Sequence, residues 1–303
     1  MLVLLGIGGA VAIGAVNGTR SPEAMVEQYV QLIADGRAGD ATELVAPTDG
    51  ASADLLTDDV LAAAIETIQD VEVGDARGSG DQRTVSVSYT LAGQQHTAQL
   101  LVTKRANDFL VLENWEVTTP LIGSVDVMPM MFGPGGIPAS IGGVEFPVST
   151  ETSLSLYPGV YELQGPEDGF FELSAEPFTV SVDEIALPSW VQVAVEPTER
   201  LQTAVQEQAD AYLDECVAST AANLECGLWA FLADGPVTWE IVEYPEVTIH
   251  GDGSAFMYQG GIVRSTYEST FLGETTTETS EDQVYLAGTI AIDGDTVTVD
   301  FGR

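Results

Sequence analysis

Apolar and polar positions alternate along this chain with two different periods, and the changes of period mark its elements. Met1–Val16 has no polar side chain at all and is followed by a polar break, Asn17–Pro22. Met25, Tyr29, Leu32 and Ile33 then recur at helical spacing, predicting an amphipathic helix opened by Ser21 as N-cap and Pro22 in its first turn and ending near Asp35–Gly36. Further helices are expected at Gly39–Val45 and Asp58–Gln69. The latter carries a stripe of Val60, Leu61, Ala64, Ile65 and Ile68 behind a Thr57 cap. From Asp70 the period falls to two. Strands are predicted at Asp70–Asp75, Thr84–Leu91, Gln95–Lys104 and Phe109–Val117, with Gly93–Gln94 as one of the turns.

Residues 120–133 read as a linker strand holding Met128, Met130 and Met131, followed by short β segments at Ala139–Glu145, Leu154–Leu163 and Phe178–Val182. A helix from Glu199 to about Cys216 puts Leu201, Val205, Ala209, Tyr212 and Leu213 on one face. Five strands close the chain: Thr238–Ile249 (broken by Pro245), Ser254–Gly260, Ile262–Phe271, Gln283–Ile292 and Thr296–Phe301. Asp293–Gly294 is the last hairpin turn. Helices followed by meanders, twice over, predict an α+β class. The expected parts are an anchor at 1–18, an α+β domain at 19–119, a β-sandwich at 120–195 and a second α+β domain at 196–303.

Charge narrows the partners. The 303 residues hold 47 acidic and 9 basic side chains, a formal −38. That excess repels nucleic-acid backbones, whose binding rests on Lys and Arg displacing counterions. Lys104–Arg105 is the sole adjacent basic pair and reads as a solvated strand end, so no nucleic acid is expected as a partner. Lys104 is the single lysine, a skew that fits a GC-rich genome or, as the lesser option, life in high salt.

The opening stretch and the cysteines speak to compartment. Sixteen apolar residues span about 24 Å, short of the roughly 30 Å hydrocarbon core. Nothing basic precedes them, as a signal peptide requires. The expectation is the outer part of a single-pass transmembrane helix that begins before Met1, with a cleaved signal peptide as the alternative. Both place the remaining chain outside the cytosol. Cys216 and Cys226 are the only cysteines, and two thiols in an exported chain most often pair, so a disulfide is expected, with free thiols as the other reading.

The helix S-P-E-A-M-V-E-Q-Y, the turn A-D-G-R-A-G-D-A and a sheet closing on W-E-V resemble the NTF2-like and cystatin-like folds of bacterial exported proteins. The phrases I-G-G-V-E and L-Y-P-G-V-Y-E-L are similar to PEGA-like β-sandwich modules, with Gly142 standing where that pattern has asparagine. Anchor, α+β, sandwich and α+β in that order resemble the TcaA-type modular envelope proteins of Gram-positive bacteria, although the cysteines of that family's cytoplasmic zinc ribbon do not occur in this sequence. The resemblance implies a cell-membrane protein with extracytoplasmic domains, a role in envelope stress sensing, and no catalytic residue to carry over.

Catalytic chemistry finds little support. His96 and His250 are expected at the surface, and neither neighbours a nucleophile elbow. Asp252–Gly253 and Asp293–Gly294–Asp295 lack the spacing of a calcium loop. No cofactor or metal is expected. The expected function is non-catalytic binding of an envelope protein or cell-wall component. The alternatives are a spacer, or a small-molecule binder or enzyme using a pocket lined by Tyr29, Tyr89 and Trp115; core packing is the favoured role for these three.

Overall fold

The computed structural model of the protein describes residues 20–48, 52–106, 113–130, 137–149, 152–183, 189–251 and 253–302. The expected anchor at 1–18 lies outside them, as does Met131. No helix among the described residues is long and apolar enough to cross a membrane. The class is α+β and rich in strand. The chain parts into two compact units: 1–128 with 138–164 and 174–193, and 129–137 with 165–173 and 194–303. Residues 120–195 thus contribute to both.

In the first unit, α1 (Pro22–Ala34) is capped by Ser21, whose hydroxyl accepts from the Ala24 N–H at 3.2 Å. Short helices α2 (Ala38–Leu44) and α3 (Asp58–Ala62) follow, the latter capped by Thr57. The third helix stops well before the predicted Gln69. Its expected second half forms β1 (Glu66–Thr67) and β2 (Gln69–Val73), because pairing draws that segment into a sheet: the Ile65 N–H donates to the Val160 carbonyl and Glu66 lies opposite Val160. Strands β2, β3 (Gln82–Leu91), β4 (Gln94–Lys104) and β5 (Trp115–Val117) make one antiparallel sheet. Val26, Tyr29, Val30 and Ile33 of α1 share one core with Val85, Val87, Tyr89, Leu100 and Val102 of that sheet.

The segment read as a linker is in part a strand, β6 (Gly123–Pro129), which pairs with β9 (Thr152–Leu156). Between them β7 (Ile137–Ile141) and β8 (Val144–Val148) form a hairpin. Its turn, Gly142–Gly143, has φ +58 and +77. A Cβ at Gly142 would come within 2.5 Å of the Asp59 carbonyl oxygen, so asparagine is excluded here by the backbone of α3. Strand β10 (Gly159–Tyr161) bridges β1 and β12 (Phe178–Val180). Phe171–Ser174 is β11, and β13 (Ser189–Pro197) leads into the second unit.

The second unit sets α4 (Glu199–Val217) against a sheet ordered β14 (Thr238–Glu243), β16 (Ala255–Phe271), β17 (Glu274–Asp293) and β18 (Thr296–Phe301), with β15 (Glu246–Ile249) also on β16. Leu201, Val205, Ala209 and Leu213 bury the inner face of the helix. The two strands predicted around Gly260–Gly261 are one long strand with a register shift between Gln259 and Ile262. The larger departure is β17, which starts at Glu274, well before the expected Gln283. Its first half, E-T-T-T-E-T-S-E-D, carries no hydrophobic alternation and pairs through its backbone, its β-branched threonines and the Arg264–Glu281 ion pair.

Candidate interaction surface

The three residues proposed to line a pocket are all core residues of the first unit. Tyr29 is fully buried on α1, and its hydroxyl accepts from the buried Leu121 N–H at 2.9 Å. Tyr89 on β3 accepts from the Val182 N–H at 2.9 Å and donates weakly to the Val182 carbonyl at 3.3 Å. The Trp115 indole donates to Glu113 at 3.1 Å, and the Lys104 ammonium sits 5.3 Å from its ring. Burial pushes the Tyr29 phenol well above its ordinary range, outweighing the lowering by Leu121. Burial likewise raises Tyr89 to about 12. Phenols so placed stay neutral near neutrality and act as hydrogen-bonding struts.

Expected at the surface, His96 is instead largely covered, with 11% of its side chain exposed. Its ring stacks on Tyr89 and its Nδ1 lies 2.9 Å from Asp183 Oδ2, while the Thr97 N–H donates to Asp183 Oδ1 at 3.2 Å. Burial raises the Asp183 carboxyl, but the His96 and Thr97 bonds together overcome it and hold the group below its usual range. His250 is exposed, as expected.

The second unit shows a different arrangement. Cys216, in the last turn of α4, is bonded to Cys226, with their Cα atoms 6.3 Å apart. The loop beyond is laced by backbone bonds from Ala230 to Ala222, from Leu224 to Leu228 and from Val237 to Thr220. Leu228 and Ala230 alternate inward, which turns Trp229 and Phe231 outward, stacked with ring centroids 5.4 Å apart. Phe231 is 84% exposed, and Leu232 beside it is exposed as well. Asp234 then pins this loop to the distal part of β16: its N–H donates to the Glu268 carbonyl at 2.9 Å, and its carboxylate accepts from the Thr270 N–H at 2.5 Å.

One residue further, β16 and β17 close through Leu272–Gly273. Both turn residues are left-handed, at φ +55 and +90. Phe271 is 76% exposed and Leu272 is 91% exposed. Leu232 is two residues from Asp234 and Phe271 one from Thr270, so a few ångströms of chain separate each from the pin. Trp229, Phe231, Leu232, Phe271 and Leu272 therefore crowd one end of the unit.

No family model, curated protein or solved structure matches the chain.

The chemistry of that end must therefore be read from its side chains. Single exposed apolar residues are ordinary, but two large ones at the tip of a paired arm, with three more on the loop bonded to that arm, make a candidate interaction site. A leucine held at positive φ strengthens that reading, since the conformation costs about 1 kcal/mol that asparagine or glycine would avoid. Among the described residues no cluster of three or more His, Cys, Asp or Glu could hold a metal ion. Sequence reasoning missed this surface. The available signals were the alternation L-W-A-F-L and the F-L-G turn flanked by threonines.

Proposed function

We propose that this protein is a non-catalytic, membrane-anchored extracytoplasmic envelope protein that docks a protein or cell-wall partner through the apolar end of its C-terminal unit. The observation that carries the reading is the exposed set Trp229, Phe231, Leu232, Phe271 and Leu272, fixed by Asp234. The Cys216–Cys226 disulfide supports an oxidising compartment, and the apolar Met1–Val16 run supports an anchor. The engaged hydroxyls of Tyr29 and Tyr89 favour packing over pocket lining in the first unit. In the same reading the first unit is NTF2-like or cystatin-like, the following β segments are PEGA-like, and the whole is a TcaA-type envelope protein with a part in envelope stress sensing.

The test combines location and docking. Intact cells producing the tagged chain are treated with a membrane-impermeant protease and, separately, with a thiol alkylator before and after reduction. The expected result is cleavage at the surface, membrane retention, and alkylation of Cys216 and Cys226 only after reduction. A chain that stays cytosolic with both thiols reactive refutes the proposal. Phe271→Ser with Leu272→Asn is expected to abolish crosslinking to envelope material; unchanged crosslinking removes the tip from the account.

A further inference from the structure

The sheet of the second unit covers several of its own edges. The Gln206 amide donates to the Pro245 carbonyl at 2.9 Å and accepts from the Val247 N–H at 2.9 Å, occupying β15. Gln208 does the same for β18, donating to Val297 at 3.0 Å and accepting from Val299 at 3.2 Å. Asp234 covers the distal part of β16. Each device satisfies backbone groups that would otherwise recruit another strand.

One long edge has no such cover among the described residues. Strand β17 meets β18 only from Gly288 to Asp293, so Glu274–Ala287 borders β16 alone except for the Ala287 carbonyl, which accepts from Gly302. The register says which groups point outward. Phe271 and Glu274 flank a two-residue turn and exchange their bonds, so the even-numbered residues of β17 face β16. Thr275, Thr277, Thr279, Glu281, Gln283 and Tyr285 then direct their N–H and C=O groups into the open. The outward direction of Ala287 on the same strand agrees.

Lysine and proline, which commonly guard an edge, are missing from Glu274–Ala287. Glu281 is held by Arg264 at 2.7 Å, while no ion pair among the described residues involves Glu274, Glu278 or Asp282. These three alternate onto one face. From Ala194 onward the sequence has no lysine, and its arginines are Arg200, Arg264 and Arg303. A second copy of this strand would lay like charges against each other, which disfavours pairing.

We propose that the open edge of β17, Thr275 to Tyr285, is a strand-addition site for an extended cationic polypeptide segment with Lys or Arg at alternate positions. Main-chain bonds to the outward groups supply affinity, and the basic side chains meet Glu274, Glu278 and Asp282. The inference rests on the docking role above and names the chemistry of the partner.

The test uses the full-length oxidised protein and a capped ten-residue peptide of alternating lysine and valine, read by fluorescence anisotropy. Two control peptides carry glutamate for lysine, or N-methyl groups on every residue, which removes the donors of both strand edges. The lysine peptide is expected to bind, more weakly as salt rises, and neither control is expected to bind. Thr277→Pro with Thr279→Pro removes outward N–H groups without touching the ladder to β16, and should weaken binding about tenfold. Equal binding of the N-methylated or the glutamate peptide, or undiminished binding by the proline variant, overturns the proposal. So does a dimer of the native chain that the prolines dissolve. Should the prolines disturb the arm, the N-methylated peptide decides alone. A cytosolic protein that binds the peptide would sink only the envelope reading. A surface protein indifferent to both prolines and N-methylation would sink only strand addition.

Discussion

Replacing Leu272 by asparagine should make the β16–β17 arm more stable. Leu272 and Gly273 both have positive φ, as the tight turn closing Phe271 against Glu274 requires. A Cβ-bearing, γ-branched side chain pays about 1 kcal/mol for that conformation, while asparagine adopts it readily. Leu272 is 91% exposed, so its removal forfeits almost no burial. The arm should therefore close about 1 kcal/mol more firmly, or about fivefold in its opening equilibrium. Hydrogen exchange followed by NMR reads this residue by residue. Thr276 and Glu278, whose amides face β16, should exchange about fivefold more slowly in Leu272→Asn, given that opening governs exchange there. Thr277 and Thr279, whose amides face outward, should exchange fast in both proteins. Leu272→Val, β-branched at the same φ, should shift Thr276 and Glu278 in the opposite direction. Unchanged or faster exchange at Thr276 and Glu278 in the asparagine variant would refute both the turn geometry and the view that leucine is strained there.

Gly142→Ala should lower the stability of the first unit by about 2–4 kcal/mol, since its Cβ meets the Asp59 backbone at positive φ; a melting curve within error of wild type would contradict the packing. Tyr29→Phe should cost about 1–3 kcal/mol by leaving the buried Leu121 N–H without its acceptor, measured by urea unfolding. Asp183 has a folded pKa below its unfolded value of about 3.9, so its contribution is present above that pH and is lost as pH falls through the folded value. Asp183→Asn should thus be less stable than wild type at pH 7, and the gap should shrink steadily below about pH 4. Ser265 is fully buried on β16 and its hydroxyl has no hydrogen-bond partner among the described residues, so Ser265→Ala should be neutral or stabilising by about 1 kcal/mol in the same unfolding assay.

The parts legible in the sequence were those with strong periodicity. The stripes of α1 and α4, the caps at Ser21 and Thr57, and the alternation of β3 and β4 all lie where the pattern places them. Turns were located to within one residue. The expected Gly93–Gln94 is Ala92–Gly93, and the expected Asp293–Gly294 is Gly294–Asp295, because glycine marks a turn but not which of its two central positions it fills. Two kinds of element escaped. The segment after Ala63 has a helical stripe, yet pairing with β10 overrides it. The first half of β17 lacks any stripe, because both its faces are exposed and burial imposes no alternation there. Open backbone groups leave no trace in side-chain patterning, so the candidate edge could be seen only once its neighbours were in place. The Cys216–Cys226 pairing, in contrast, followed from number and compartment alone.

Neither unit is a continuous stretch of chain, and that constrains how this protein can be cut or recombined. Thr198, the cap of α4, donates to the Gly169 carbonyl at 2.9 Å, and the Arg200 guanidinium lies 4.3 Å from the centre of the Phe170 ring. The Cβ of any residue replacing Gly253 would run into Phe171. A fragment starting at Ala194 would leave those partners behind and expose the ground on which its first helix begins. A single crossover in the gene cannot transplant the second unit without also carrying 138–164 and 174–193 of the first, so the inheritance of the two is tied.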